Sequence, residues 1–203
     1  MRNIVFTAVA LALIASVPAS GQSVSKDPAL APAGTYAANQ NHTQVLFSVR
    51  HLGLTDFHGR FDKVSGTLTF DNRRPERSAV SITIDTTSLD TTSEKLNNDL
   101  KTIFRVQEFP AMTFKSTAVT RTGPDTGRID GMLTIKDVTR PVILDVTFNG
   151  GGKSMMSGGD YSLGFHATGV LRRSDFGLDK MFWSGFVSDE VALTIEAEFD
   201  QKS

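Results

Sequence analysis

Cysteine is absent from all 203 residues, so no disulfide, cysteine nucleophile or thiolate metal site exists, and stability has to come from a packed core alone. That requirement favours one sizeable domain over several small ones. A surplus of one charge is missing too: Lys plus Arg number 21 and Asp plus Glu 22, with no long single-sign block. The electrostatic footprint of a nucleic-acid binder or a stable anionic-membrane binder is therefore not present. Long apolar runs are confined to Ile4–Val17, shorter than the roughly 20 residues a spanning helix needs. Polar aromatics are scarce, with two Tyr and one Trp against fourteen Phe. The Trp and Tyr girdles of an outer-membrane barrel are thus excluded, and Phe supplies bulky apolar walls with few polar handles. No G-x-S-x-G elbow marks a nucleophile.

Arg2, the apolar run and the small-residue site Val17-Pro18-Ala19 have the layout of a secretory signal over residues 1–19. An exported, periplasmic protein is expected. Residues 20–34, rich in Ser, Pro and Ala without periodicity, read as a flexible leader, and residues 35–203 as one domain.

From Tyr36 onward, apolar residues recur at every second place in eight segments. The apolar faces carry Val45, Phe47, Val49 and His51; Val64 to Phe70; Val80, Ile82 and Ile84; Met112 and Phe114; Ile129, Gly131, Leu133 and Ile135; Val142, Leu144, Val146 and Phe148; Leu163, Phe165, Ala167 and Leu171; and Val191 to Phe199. One wet and one dry face per segment is the pattern of antiparallel sheet, and eight such strands close into a barrel just wide enough for side chains or one small ligand. The fold expected is all-β, an eight-stranded antiparallel lipocalin-like barrel. Leu96, Leu100, Ile103 and Phe104 break the rhythm at helical spacing, and Thr91 stands three places before Glu94 as in a capping box. A short helical lid over Thr92–Phe104, between strands three and four, follows.

His51 and His58 lie seven apart, which matches neither a helical zinc pair nor two neighbours on one strand face. Strand parity sends His51 inward and puts His58 on the face shared with Arg60, opposite Phe57 and Phe61. No metal site and no cofactor are predicted. His51 is either a core histidine or a polar fitting at a cavity mouth. Arg173, continuing the apolar face beyond Leu171, is either a structural partner of Asp175 or a grip for an anionic head.

SVRHLGLTDFHGRF, the TTSLDT turn with its helix, EFPAMTFKST, GMLTIKDVTRPVILDV, ATGVLRRSDFG and the closing DEVALTIEAEF together resemble the YceI family of exported proteins, over nearly the whole of Gly34 to Phe199. Where that family commonly carries an Arg-Asp and a His ahead of the lid leucine, this chain reads Leu96-Asn97-Asn98-Asp99-Leu100, which weakens the case for a polar ligand contact from the helix. The resemblance implies a homodimeric barrel that holds an isoprenoid chain, isoprenoid quinone or fatty amide. On that reading the tail is lined by Val45, Phe47, Val49, Phe61, Ile82, Ile84, Leu100, Phe104, Phe114, Leu133, Ile135, Leu144, Phe148 and Phe165, with His51 and Arg173 at the polar end. A strand of about ten residues spans about 33 Å, so a long isoprenoid must bend or protrude. The alternatives are an enzyme or redox accessory acting on such a lipid through His51, and a filled barrel serving only as an interaction module.

Overall fold

The computed structural model describes residues 24–153, 159–180 and 185–202. The signal sequence read over 1–19, the first residues of the leader, and part of the Gly150 to Gly159 stretch lie outside the described residues.

Period-two alternation becomes antiparallel sheet throughout. The strands are β1 (Gly34–Ala38), β2 (Gln44–His51), β3 (Thr55–Phe61), β4 (Val64–Phe70), β5 (Ala79–Asp85), β6 (Leu89–Asp90), β7 (Ala111–Arg121), β8 (Thr126–Ile135), β9 (Val138–Lys153), β10 (Tyr161–Arg172) and β11 (Glu190–Gln201). A closed ring runs β1-β4-β5-β7-β8-β9-β10-β11 and returns to β1. It has eight members, and closure leaves the ring without a free edge. The three further strands prolong the first three staves beyond a bend. One edge of β11 pairs with β1 at Phe199↔Ala38 and with β2 at Ile195↔Val45, so β1 and β2 are two arms of one bent stave. Only Asp62 and Lys63 separate β3 from β4, and a single 3-10 turn, Thr86–Ser88, separates β5 from β6.

These bends correct the expected position of the helix. The helix α1 (Glu94–Phe104) follows β6, not a third strand. Three strands escape the sequence pattern because β1 spans five residues, β6 spans two, and β3 has Gly59 on its apolar face. The cap also moves: Ser93, not Thr91, accepts from Leu96 N at 3.4 Å. Thr91 is buried instead, and both its N–H and its hydroxyl donate to Asn97 Oδ1, at 2.8 and 2.7 Å. Asn97 in turn donates to Asp90 at 3.1 Å, which ties the helix to the strand that leads into it. Arg105 ends the helix in the left-handed conformation, its N–H turned back to Lys101 and Thr102.

The stretch read as a flexible leader is tied to the barrel at Ser25 and again at Ala31 and Pro32. Ser25 and Gly151 exchange two backbone hydrogen bonds of 2.9 Å, Ala31 is buried, and the Tyr36 hydroxyl donates to Pro32 O at 2.7 Å. Composition had no means of showing this, because the segment is held by backbone pairing and one phenol, not by a periodic apolar face.

Buried side chains form two clusters along the barrel axis. One holds Val45, Phe61, Ile84, Met112, Leu133 and Phe176, near α1. The other holds Ala31, Tyr36, Leu68, Phe148, Leu163 and Phe199, near the N-terminal segment.

Candidate functional site

Between and around these clusters the barrel encloses a cavity of about 720 Å³. Barrels with this many phenylalanines could fill themselves, and the packing shows why this one does not. A Cβ added at Gly59 would lie 2.3 Å from the Phe47 ring, and one added at Gly131 would lie 2.2 Å from the Phe114 ring. The far end of each ring therefore covers a glycine of the adjoining strand, where a side chain would drive it away. Further along, Phe70, Phe148, Phe165 and Phe199 contact one another at centroid separations of 5.4–6.5 Å and form one aromatic wall.

The residues named for the tail and its polar end border this cavity, whereas Leu163, also read on an apolar face, is packed in the core away from it. Val45, Phe47, Val49 and His51 face it from β2, Phe61 from β3, Ile82 and Ile84 from β5, and Phe114 from β7. Leu133 and Ile135 do so from β8, Leu144 and Phe148 from β9, and Phe165 from β10. Leu100 and Phe104 project from α1, joined by Leu96 and Ile103, and Phe104 meets Phe61 edge-on at 5.8 Å. The apolar stripe of α1 is only half-buried, since it faces open space and not packed side chains. Sequence reasoning left Phe57, Ala167, Leu193, Ile195 and Phe186 out of the predicted lining, yet they also line the cavity. Strand parity already marked the first four as apolar-face positions; Phe186 lies on a loop and gave no periodic signal.

Polar lining gathers at the two ends. Asn72, Ser78, Arg121 and Asp125 stand at one, and His51, Thr55, Asp99 and Arg173 at the other. Thr43, between them, has its hydroxyl occupied by both backbone groups of Glu198, at 3.1 and 3.2 Å. His51 and His58 diverge: His51 lines the cavity and is exposed at its rim, whereas His58 alternates with the cavity-lining Phe57 and Phe61 and is exposed on the outer face. Asp99 borders the cavity with Lys95 at 2.9 Å, so the helix does bring a carboxylate to the rim despite the departure at residues 96–100.

Arg173 reaches the lining by a different route from the one parity suggested. Strand β10 ends at Arg172, and Arg173–Phe176 form a 3-10 turn. The guanidinium donates to the carbonyls of Ser188, Val187 and Leu178 at 2.9, 3.1 and 3.4 Å. It thereby braces the loop at the cavity rim. Asp189 is engaged beside it, accepting from the Ser174 N–H at 2.9 Å and from its hydroxyl at 2.7 Å. The Ser174 hydroxyl, then its N–H and the charges of Arg173 and Arg172, hold Asp189 below the ordinary carboxylate range.

Among the described residues no helix is long and apolar enough to cross a membrane. The arrangement offers an apolar chamber with hydrogen-bonding groups at its ends, the general form of a small-molecule site.

Comparison with known proteins agrees with this architecture. A UPF0312 protein of Pseudomonas savastanoi pv. phaseolicola is 35% identical over 195 residues, covering 95% of this chain and 96% of the relative. The crystal structure of Burkholderia cenocepacia BcnA superposes with a TM-score of 0.71 at 23% identity, over 79% of this chain and 98% of that one. A polyisoprenoid binding domain from Saccharophagus degradans, implicated in plant cell wall breakdown, superposes with a TM-score of 0.63 at 13% identity, over 82% of this chain and 98% of that one. With the YceI-like domain model matching residues 36–199, the chain belongs to the YceI-like family.

Proposed function

We propose that this protein binds a long-chain amphiphile, a polyisoprenoid, isoprenoid quinone or fatty amide, and carries or stores it unchanged in the periplasm. The observation that carries the reading is the cavity of about 720 Å³ with apolar walls and polar groups gathered at its ends. Its volume falls within the roughly 300–1,000 Å³ of small-molecule sites, and its walls would gain about 25 cal/mol for each Å² of tail surface removed from water. The likeness to a solved domain named for polyisoprenoid binding supports the same ligand class. The tail would lie along Phe47, Ile82, Phe114, Leu144 and Phe165, with the head near His51. Arg173, braced against three carbonyls, acts in this reading as a support of the mouth more than as a grip on the head.

We read the protein as a binding protein and not an enzyme, and as a homodimer. Mass spectrometry of lipid copurifying with the native protein, followed by delipidation and reloading from cell extract, tests ligand class. An isoprenoid or fatty-chain compound in near-stoichiometric amount is expected; recovery of none would falsify the reading. Sedimentation of the same preparation reports the dimer.

A further inference from the structure

We propose that the tip made by the β2–β3 turn and Phe186 docks on the surface of a lipid bilayer and sets the cavity mouth against the membrane that supplies or receives the ligand. This rests on reading the cavity as a lipid site.

The turn joins His51 to Leu54, with Leu54 N donating to His51 O at 2.9 Å. Its two central residues, Leu52 and Gly53, have φ of 52° and 71°. Two positive φ values in a hairpin turn ordinarily select Asn-Gly or Asp-Gly, because a side chain with a Cβ clashes with its own carbonyl there. Leucine at such a place is conformationally strained, and the strain is not offset by burial. Leu52 is 54% exposed, Leu54 76% and Phe186 49%. An apolar residue that is both strained and wet points to a role outside the folded monomer.

The backbones of the turn and of the segment that carries Phe186 are tied together. Leu52 N donates to Phe186 O at 2.7 Å, Ser188 N donates to Arg50 O at 2.9 Å, and His51 bridges to Val187. The tip is thus a fixed platform braced, through Val187 and Ser188, by Arg173. It is also continuous with the interior, since His51, Thr55, Phe186 and Val187 line the cavity where it reaches the surface. Phe186 and Val187 carry the apolar lining out to the rim, and Leu52 and Leu54 stand beyond it, past the polar rim residues His51 and Thr55. The nearest opposite charges, Arg50 and Asp56, are paired at 3.0 Å and leave little net field to oppose a bilayer of either charge.

Chemistry selects the occupant. A ligand with a hydrocarbon tail resides in a bilayer, and each methylene exposed to water during transfer slows exchange by about fourfold. A mouth pressed into the bilayer interface removes that exposure.

Flotation of the full chain with phosphatidylcholine vesicles, with and without phosphatidylglycerol, tests the proposal on Leu54→Ser and Leu52→Asn. Wild-type protein is expected to float, and Leu54→Ser to lower partitioning by about tenfold. Leu52→Asn should lower it as well while keeping or raising the melting temperature, because Asn accepts the left-handed conformation more readily. Retention of an isoprenoid quinone in vesicle-free buffer reads the cavity separately and should be unchanged in both variants. No flotation of wild type, or equal flotation of all three proteins, overturns docking even where quinone is retained. A change of sedimentation mass in Leu54→Ser with flotation unaltered also overturns it, and makes the tip an interface between copies. Flotation that both variants lose, with no quinone retained by any, supports docking and removes the cavity reading instead.

Discussion

Replacing Ala167 by Phe should empty the cavity of ligand without unfolding the barrel. Ala167 lies at mid-barrel on β10, opposite Val146 of β9 and Ile195 of β11, and all three line the lumen. It presents only a methyl to the cavity between Val146 and Ile195, so a ring built there projects into the lumen. If the ring displaces roughly four tail carbons at about 0.8 kcal/mol each, binding weakens by about 3 kcal/mol, or about two orders of magnitude in Kd. Titration of delipidated protein with an isoprenoid quinone, followed by tryptophan-independent methods such as calorimetry, measures the loss. A melting temperature equal to or above that of wild type is the required companion result, because the added ring covers apolar wall. Wild-type affinity in a correctly folded Ala167→Phe would refute the reasoning, since no tail could then be running past this position.

Tyr36 makes a second test through alkaline pH. Burial, and secondarily Tyr161, pushes its phenol up to about 12 from 10.0, so the folded state favours the neutral form. Its contribution is complete below pH 10 and is lost as pH rises from 10 through 12, amounting to about 2.7 kcal/mol at most. Tyr36→Phe should cost about 1 kcal/mol at neutral pH, through the lost hydrogen bond to Pro32, and should flatten the alkaline decline in urea melts; parallel declines in the two proteins would contradict this. At the other end, the depressed Asp189 carboxyl stabilises the mouth above its ordinary value of 3.8, and the contribution is lost as pH falls through the lowered folded value. Ser174→Ala should leave the onset of that loss where it is but shrink the loss and complete it at a higher pH, seen in amide exchange of the rim at Ser188. Arg173→Met strips donors from the carbonyls of Ser188, Val187 and Leu178 and should destabilise the rim by about 1–3 kcal/mol, read as faster amide exchange at Leu52 with the barrel strands unchanged.

Much of the interior was legible because a strand gives each residue only two directions. Once Val45, Phe47 and Val49 alternate with polar neighbours, His51 must face the same way, and the separation of His51 from His58 follows from the same parity. Closure into a ring was legible for a related reason: eight strands that are dry on one face must cover that face, and rolling into a barrel does so without leaving edges. Local rules ended where the chain bends. Of the arms divided at Asp62-Lys63 and Thr86–Ser88, β6 is two residues long and β3 carries Gly59 where an apolar side chain would mark its face, so neither registered and the helix was assigned to the wrong place in the strand order. Pairing of Ser25 with Gly151 and the turning of Arg173 onto the carbonyls of Val187 and Ser188 depend on partners distant in sequence, whereas the cap falls to Ser93 because Thr91 is engaged by Asn97.

The sequence by itself determined the strand faces, the absence of covalent staples and the apolar character of what lies inside, since these depend on residue type and a period of two. Whether the inside would be full or hollow was decided only in three dimensions. Phe47 and Phe114 rest the far ends of their rings over Gly59 and Gly131 on adjoining strands, space that any side chain there would take from them. That outcome rests on the register between strands, which no single strand's pattern contains.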